Sequence, residues 1–272
     1  MALRVNTNLF SMTAQKNLSV HSEKLAGSFS KLSSGLRIVS AADDAAGLGI
    51  SERMRAEIAS LNMAQRNAQD GISLVQTAEG ALSEVSANLV RMRELAIEAS
   101  NGTLNTADRA SLDAEFGALI SEIDRVATQT AFNGISLLDN TTTITIQVGS
   151  SSGEVIDISP ADLQVSTLGI SALSVTTSTL ASAALASLDS AIDDVVDQRG
   201  AFGASQNRLQ SAMRSIATAT ENLSGAESRI RDVDVAAETA ELTKNRILQQ
   251  AATSVLAQAN TQPQLAMSLL QG

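Results

Sequence analysis

The chain has 272 residues, 19 basic against 29 acidic, a net charge of −10, and a composition that is 44% hydrophobic but only 2% aromatic, with five Phe and no Trp, Tyr or Cys. Such acidity gives no electrostatic hold on phosphate backbones, which sets nucleic acid aside as a partner, and the missing cysteines exclude disulfides, thiol catalysis and thiolate metal sites. The apolar content is Ala, Leu, Ile and Val with two Pro, the first at Pro160, a composition that favours long helices.

Met1 to Lys16 lacks a basic segment followed by an apolar one, so no cleavable secretory signal is expected. Leu18, Leu25, Phe29, Leu32, Leu36 and Val39 then share one heptad frame. This predicts an amphipathic helix with nothing in its own segment to bury against. From Leu61 the positions Ala64, Ala68, Gly71, Val75, Ala78, Leu82, Val85, Leu89, Met92, Ala96 and Ala99 step by alternating three and four, the seam of a coiled coil. A helix from about Glu52 to Ala99 is predicted, roughly 72 Å long at about 1.5 Å per residue. Asn101-Gly102 supplies a stop, and Thr106 with Asp108 an N-cap for a second helix to about Thr128.

Residues 143–148 and 155–158 alternate in polarity around a glycine-bounded turn, a β-hairpin that ends at Pro160. Residues 163–188 carry no charge but are rich in Ser and Thr, too polar for about 20 residues in hydrocarbon. They read as loop or linker, and no membrane insertion is expected. A second heptad frame follows in Leu185, Leu188, Ile192, Val195, Phe202, Leu209, Met213, Ile216, Leu223 and Ile230, interrupted by Arg199, Gln206, Thr220 and Glu227. The two frames are expected to pack on each other as a rod. Near the C-terminus Ala240, Ile247, Leu248, Ala251, Val255 and Ala259 form a stripe, followed by Leu265, Met267, Leu269 and Leu270. The two terminal stripes pair with each other or with other copies of the chain. The fold class is mainly α: a long antiparallel coiled-coil rod from both ends of the sequence, with a small central hairpin.

Little supports catalysis. His21 is the single histidine and reads as a solvated helix position. Adjacent carboxylates such as Asp43-Asp44 point about 100° apart on a helix and mark a charged helix start or bend. Asp232, Asp234 and Glu238 lack the glycine of a calcium loop, and Gly47-Leu48-Gly49 is too short for a phosphate cradle. No enzyme activity, cofactor or metal is expected.

Specific strings say more. Leu3-Arg4-Val5-Asn6-Thr7-Asn8, Leu32-Ser33-Ser34-Gly35-Leu36-Arg37-Ile38 running into Ala41-Ala42-Asp43-Asp44-Ala45-Ala46-Gly47-Leu48, and Asn67-Ala68-Gln69-Asp70-Gly71-Ile72-Ser73 closely resemble bacterial flagellin. So do Thr130-Ala131-Phe132-Asn133-Gly134, Ser228-Arg229-Ile230-Arg231-Asp232-Val233-Asp234, Ile247-Leu248-Gln249-Gln250-Ala251, Val255-Leu256-Ala257-Gln258-Ala259-Asn260 and Ser268-Leu269-Leu270. The resemblance implies an extracellular filament subunit of the bacterial flagellum, the propeller of motility. Its hook–filament junction protein, or another helical surface polymer, is the alternative. Residues 1–42 with 233–272 would form the terminal core domain and 43–232 the rod domain, its hairpin near 142–158, without the outer variable domains of larger members. Leu18, Leu25, Phe29, Leu32, Leu36, Ile247, Leu248, Val255, Leu265, Leu269 and Leu270 would form the polymerisation core, and terminal helices disordered in the free subunit would order on assembly.

The resemblance also implies partners. These are further copies of the chain, the flagellar export apparatus, a chaperone on Val233 to Gly272, and the filament cap and junction proteins. Recognition by Toll-like receptor 5 is implied by Arg91-Met92-Arg93-Glu94-Leu95-Ala96 with Glu115, through Arg91, Leu95 and Glu115; Val90 departs from the usual Gln. On the heptad frame Arg91 and Leu95 stand off the seam.

Overall fold

A computed structural model describes residues 7–271, with side chains through 262. The chain is mainly α, in the order α1 (Leu9–Ser34), α2 (Ala45–Ser100), α3 (Thr106–Gln129), β1 (Ala131–Phe132), β2 (Ile135–Ser136), β3 (Ile144–Gln147), β4 (Val155–Ile158), α4 (Ser178–Arg231) and α5 (Val235–Gln271). Two compact units divide it, Met1–Ala56 with Asn222–Gly272, and Glu57–Glu221.

In the unit of Glu57–Glu221 every position of the first predicted seam, from Leu61 through Ala99, is buried. The second frame packs on it antiparallel: Arg93 Nε meets Asp189 Oδ1 at 2.7 Å, and Ser178 Oγ donates to the Ser100 carbonyl at 2.8 Å. Leu188, Val195, Phe202, Leu209 and Ile216 are buried, with Ala181, Ala184 and Ala191 between them. Gly71 shows why a glycine sits mid-seam. A Cβ there would lie 3.2 Å from Ile146 Cγ1 and 3.3 Å from Leu209 Cδ1, so β3 and α4 both close onto α2 at that point.

α2 is buried on a second face through Ile72, Leu74 and Leu95, which a two-helix seam does not require. The strands and α3 cover it, with Phe116 and Ile123 of α3 and Ile156 and Ile158 of β4 in the same core. Full burial of each such side chain contributes about 1.5–3 kcal/mol, which compensates for the alanine-rich seam.

α2 begins at Ala45, well before Glu52, because Asp44 caps it: its Oδ1 accepts from Gly47 N at 2.8 Å. α3 is capped by Asn105, not Thr106. Asn105 Oδ1 accepts from Ala107 N and Asp108 N, and Asp108 answers on Asn105 N at 3.2 Å, a reciprocal capping box. β3 and β4 pair from Ile144↔Ile158 to Gln147↔Val155.

Two features differ from expectation. Residues 163–188 are not an open linker. Leu163, Leu168, Ile170 and Val175 are buried, Asp113 Oδ1 holds Ser174 Oγ at 2.9 Å and Val175 N at 2.7 Å, and α4 begins at Ser178. A second hairpin, β1–β2, turns on Asn133 (φ 49°) and Gly134 (φ 80°), the backbone of a type I′ turn.

Candidate functional site

In the unit of both chain ends, α1 runs against α5. Asn8 Nδ2 donates to the Ala259 carbonyl at 2.8 Å, Ser11 Oγ to Asn260 Oδ1 at 2.9 Å, and Gln249 Nε2 to Ser22 Oγ at 3.0 Å. The two terminal helices thus pair with each other, but of the α5 stripe only Ala259 is buried by the pairing. Its inner face is small and partly polar: among the described side chains the buried positions of the pair are Ala14, Ser28, Asn245 and Ala259. Leu18, Leu25 and Leu32 of α1, with Leu242, Ala252 and Leu256 of α5, are half-buried beside them.

The large apolar side chains point elsewhere. Phe29 is 67% exposed, Ile247 59% and Val255 58%, and Leu9, Phe10, Met12, Val20 and Leu248 are exposed with them. Of the residues assigned to the polymerisation core, three leucines of α1 thus border the intrachain pair, while Phe29, Ile247, Leu248 and Val255 form an uncovered apolar flank. Leu265, Leu269 and Leu270 lie outside the described side chains, as does Leu3 to Asn6. Leu36 and Val39 do not continue α1. Gly35 ends the helix in the left-handed region at φ 74°, and Leu36 instead bridges Asp232. His21 is half-buried, its Nδ1 shielded and without a hydrogen-bond partner, so it is not the solvated position expected.

The connections between α1 and α2 and between α4 and α5 are joined. Arg37 N donates to the Arg231 carbonyl at 2.6 Å, Val233 N to the Gly35 carbonyl at 3.0 Å, and Arg37 Nη2 to the Ile230 carbonyl at 2.6 Å. Arg231, its side chain only 13% exposed, reaches Glu52 at 2.7 Å. That hydrogen bond holds the Glu52 carboxyl below the usual glutamate range. Asp43 Oδ2 accepts from Val39 N and Ser40 N, and the Ser40 bond, foremost, holds its carboxyl low too. Asp234 caps α5 through Ala236 N and Ala237 N. Asp43, Asp44 and Asp234 are thus occupied with chain turns, Asp232 accepts from Ser228 Oγ at 2.7 Å, and no group of three His, Cys, Asp or Glu among the described residues could hold a metal.

In the unit of Glu57–Glu221, Arg91 pairs with Glu115 of α3 at 2.9 Å and with Glu94 at 3.0 Å, all three half in solvent. The Glu115 hydrogen bond raises the Arg91 guanidinium above its ordinary value. Leu95 does not stand beside them at the surface: it is 0% exposed, packed in the core. The frame reading missed this because α2 carries two buried faces.

No described helix is long and apolar enough to cross a membrane. A helical protein that buries small side chains between its terminal helices and leaves Phe29, Ile247 and Val255 exposed belongs to the class that self-associates. A family model for the bacterial flagellin N-terminal helical region matches residues 5–143, and one for the flagellin C-terminal helical region matches residues 185–270. The flagellin of Halalkalibacterium halodurans is 48% identical, over 98% of this chain and 99% of that one. The flagellin of Bacillus subtilis is 41% identical, over 98% of this chain and 100% of its own. The crystal structure of Bacillus cereus flagellin, 38% identical, superposes with a TM-score of 0.52 over 56% of this chain and 88% of that one. The chain belongs to the bacterial flagellin family.

Proposed function

We propose that the chain is a structural subunit that polymerises into the bacterial flagellar filament, the propeller of motility, and acts outside the cell as part of that filament rather than as an enzyme. The observation that carries this reading is the outward apolar flank of α1 and α5. Exposed Phe29, Ile247 and Val255 stand on helices whose mutual face is Ala14, Ser28, Asn245 and Ala259. Large apolar side chains left exposed on two paired helices mark a site for another protein surface, and in a filament neighbouring copies cover them. The inner face of the pair is weak, so stable ordering of both terminal helices is coupled to assembly.

The helix breaks at 35–44 and 232–234 support a terminal domain of residues 1–42 with 233–272 and a rod domain of 43–232. Between the two matched segments lie only residues 144–184, which favours a short form without outer variable domains. Family membership supports export by the flagellar apparatus without a cleaved signal, a chaperone on residues 233–272, and contact with cap and junction proteins. Recognition by Toll-like receptor 5 would rest on the exposed Arg91–Glu115 pair, with Leu95 acting from beneath.

Deleting about the first twenty or last twenty residues tests the reading. The expected product is a helical monomer that forms no filaments on seeding, and normal filaments in the electron microscope would refute it.

A further inference from the structure

We propose that Asn101-Gly102, in the loop joining α2 to α3, is a self-modification site whose substrate is the chain itself and whose co-reactant is water. In the first step the Gly102 amide nitrogen loses its proton to solvent base and attacks Asn101 Cγ. A C–N bond forms, the Cγ–Nδ2 bond breaks, and the amide leaves as ammonia after taking up a proton. The resulting five-membered imide then adds water at one of its two carbonyls, which gives aspartate or isoaspartate at position 101. No oxidation or reduction is involved.

Both halves of the first step are assisted by groups in place. Loss of the Gly102 proton puts negative charge on the carbonyl oxygen of the same peptide, that of Asn101. That oxygen accepts from Arg109 Nη2 at 2.7 Å and from Leu104 N at 3.4 Å. A hydrogen bond to the charged form favours it, and a cationic donor does so most. Arg109 is held there, since its Nε also donates to the Ala99 carbonyl at 2.9 Å. At the electrophile, Asn101 Oδ1 accepts from Thr103 N at 3.2 Å. That donor faces the oxygen on which charge develops when Cγ is attacked, the logic of an oxyanion hole.

Gly102 has no structural reason to be glycine. A Cβ there meets nothing within 4 Å, and its φ lies outside the left-handed region. What glycine does supply is an unhindered nitrogen. The chain holds a second Asn-Gly pair for comparison, Asn133-Gly134. There glycine is demanded by φ 80°, the backbone is fixed in a two-residue hairpin turn, and the Asn133 side chain makes no hydrogen bond among the described residues.

The test is incubation of the purified full-length chain at neutral pH in heavy-oxygen water, followed by peptide mapping with fragmentation that separates aspartate from isoaspartate. The expected result is label at position 101 well ahead of position 133. Arg109→Gln should slow labelling at 101 roughly tenfold, the change in anion population for about one unit of N–H acidity, and leave 133 unchanged. Gly102→Ala should suppress it at an unchanged urea midpoint. Label at 133 matching or outpacing 101 would overturn the proposal, and that comparison within the unmutated chain needs no variant to fold. Equal or faster labelling at 101 in Arg109→Gln would overturn it as well.

Discussion

Ser28 and Phe29, neighbours on α1 about 100° apart around the helix, differ sharply in burial: the serine is 5% exposed and the phenylalanine 67% exposed. In a helix pair selected only to hold itself together the order would be reversed, because an aromatic ring contributes far more on burial than a hydroxymethyl group. Phe29→Asp should therefore leave the isolated chain's stability within about 0.5 kcal/mol, as surface substitutions do, while abolishing elongation from filament seeds. Urea midpoints and seeded sedimentation measure the two. Normal elongation by the variant would remove Phe29 from the assembly surface.

Leu95 and Arg91 lie one turn apart on α2 and should behave in opposite fashion. Leu95→Ala empties a fully buried position and is expected to cost about 2–5 kcal/mol, the usual range for a cavity left by leucine. Arg91→Ala removes a half-exposed pair with Glu115, worth under about 1 kcal/mol. Chemical denaturation of both variants checks this. A Leu95→Ala midpoint equal to that of Arg91→Ala would mean that the core closes over the gap.

Much of this fold was legible from periodicity, and its misses have local causes. The seam from Leu61 to Ala99 is buried at every position because a sustained alternation of three and four leaves one consistent face. Leu95 escaped because a helix covered on two sides has more buried positions than one frame holds. The β1–β2 hairpin was signalled by Asn133-Gly134, but its strands of two residues each are too short to show alternation. Residues 163–188 read as linker because they are uncharged and dense in Ser and Thr, and only tertiary contacts reveal that Leu163, Leu168, Ile170 and Val175 are inward. In α5 Ile247 and Val255 of the apolar stripe stay exposed. The face that actually meets α1 carries Asn245 and Gln249, which no hydrophobic pattern marks.

Two glycines of α2 should separate by what surrounds them. A Cβ on Gly47 would sit 2.4 Å from Asp44 Oδ2 and 2.7 Å from Ile38 Cδ1, so Gly47→Ala must displace the cap of α2 and is expected to cost about 1–3 kcal/mol. Gly80 meets nothing within 4 Å, and Gly80→Ala should stabilise by about 0.5–1 kcal/mol through helix propensity. Thermal and urea unfolding report both signs, and a stabilised Gly47→Ala would show that Asp44 is dispensable as a cap.

Acid should weaken the terminal unit through Glu52. Its carboxyl is held below the ordinary range chiefly by the hydrogen bond from Arg231, with Arg55 adding attraction. A carboxyl whose folded value is depressed binds fewer protons folded than unfolded. Its stabilising contribution is therefore complete above the ordinary glutamate range and disappears as pH falls through the depressed folded value. Protonation of Glu52 then leaves the mostly shielded Arg231 guanidinium, 13% exposed, without its anion. The Glu57–Glu221 unit contains carboxyls lowered in the same direction, Asp189 by Arg93 and Glu122 by Arg125, so the whole chain loses stability in acid and Glu52 accounts for one share. Glu52→Gln should lower the midpoint at neutral pH and flatten its fall toward acid. Urea midpoints measured from neutral pH to below the carboxylate range decide it: a Glu52→Gln profile parallel to that of the unmodified chain would mean that the Arg231 contact carries no net stability in solution.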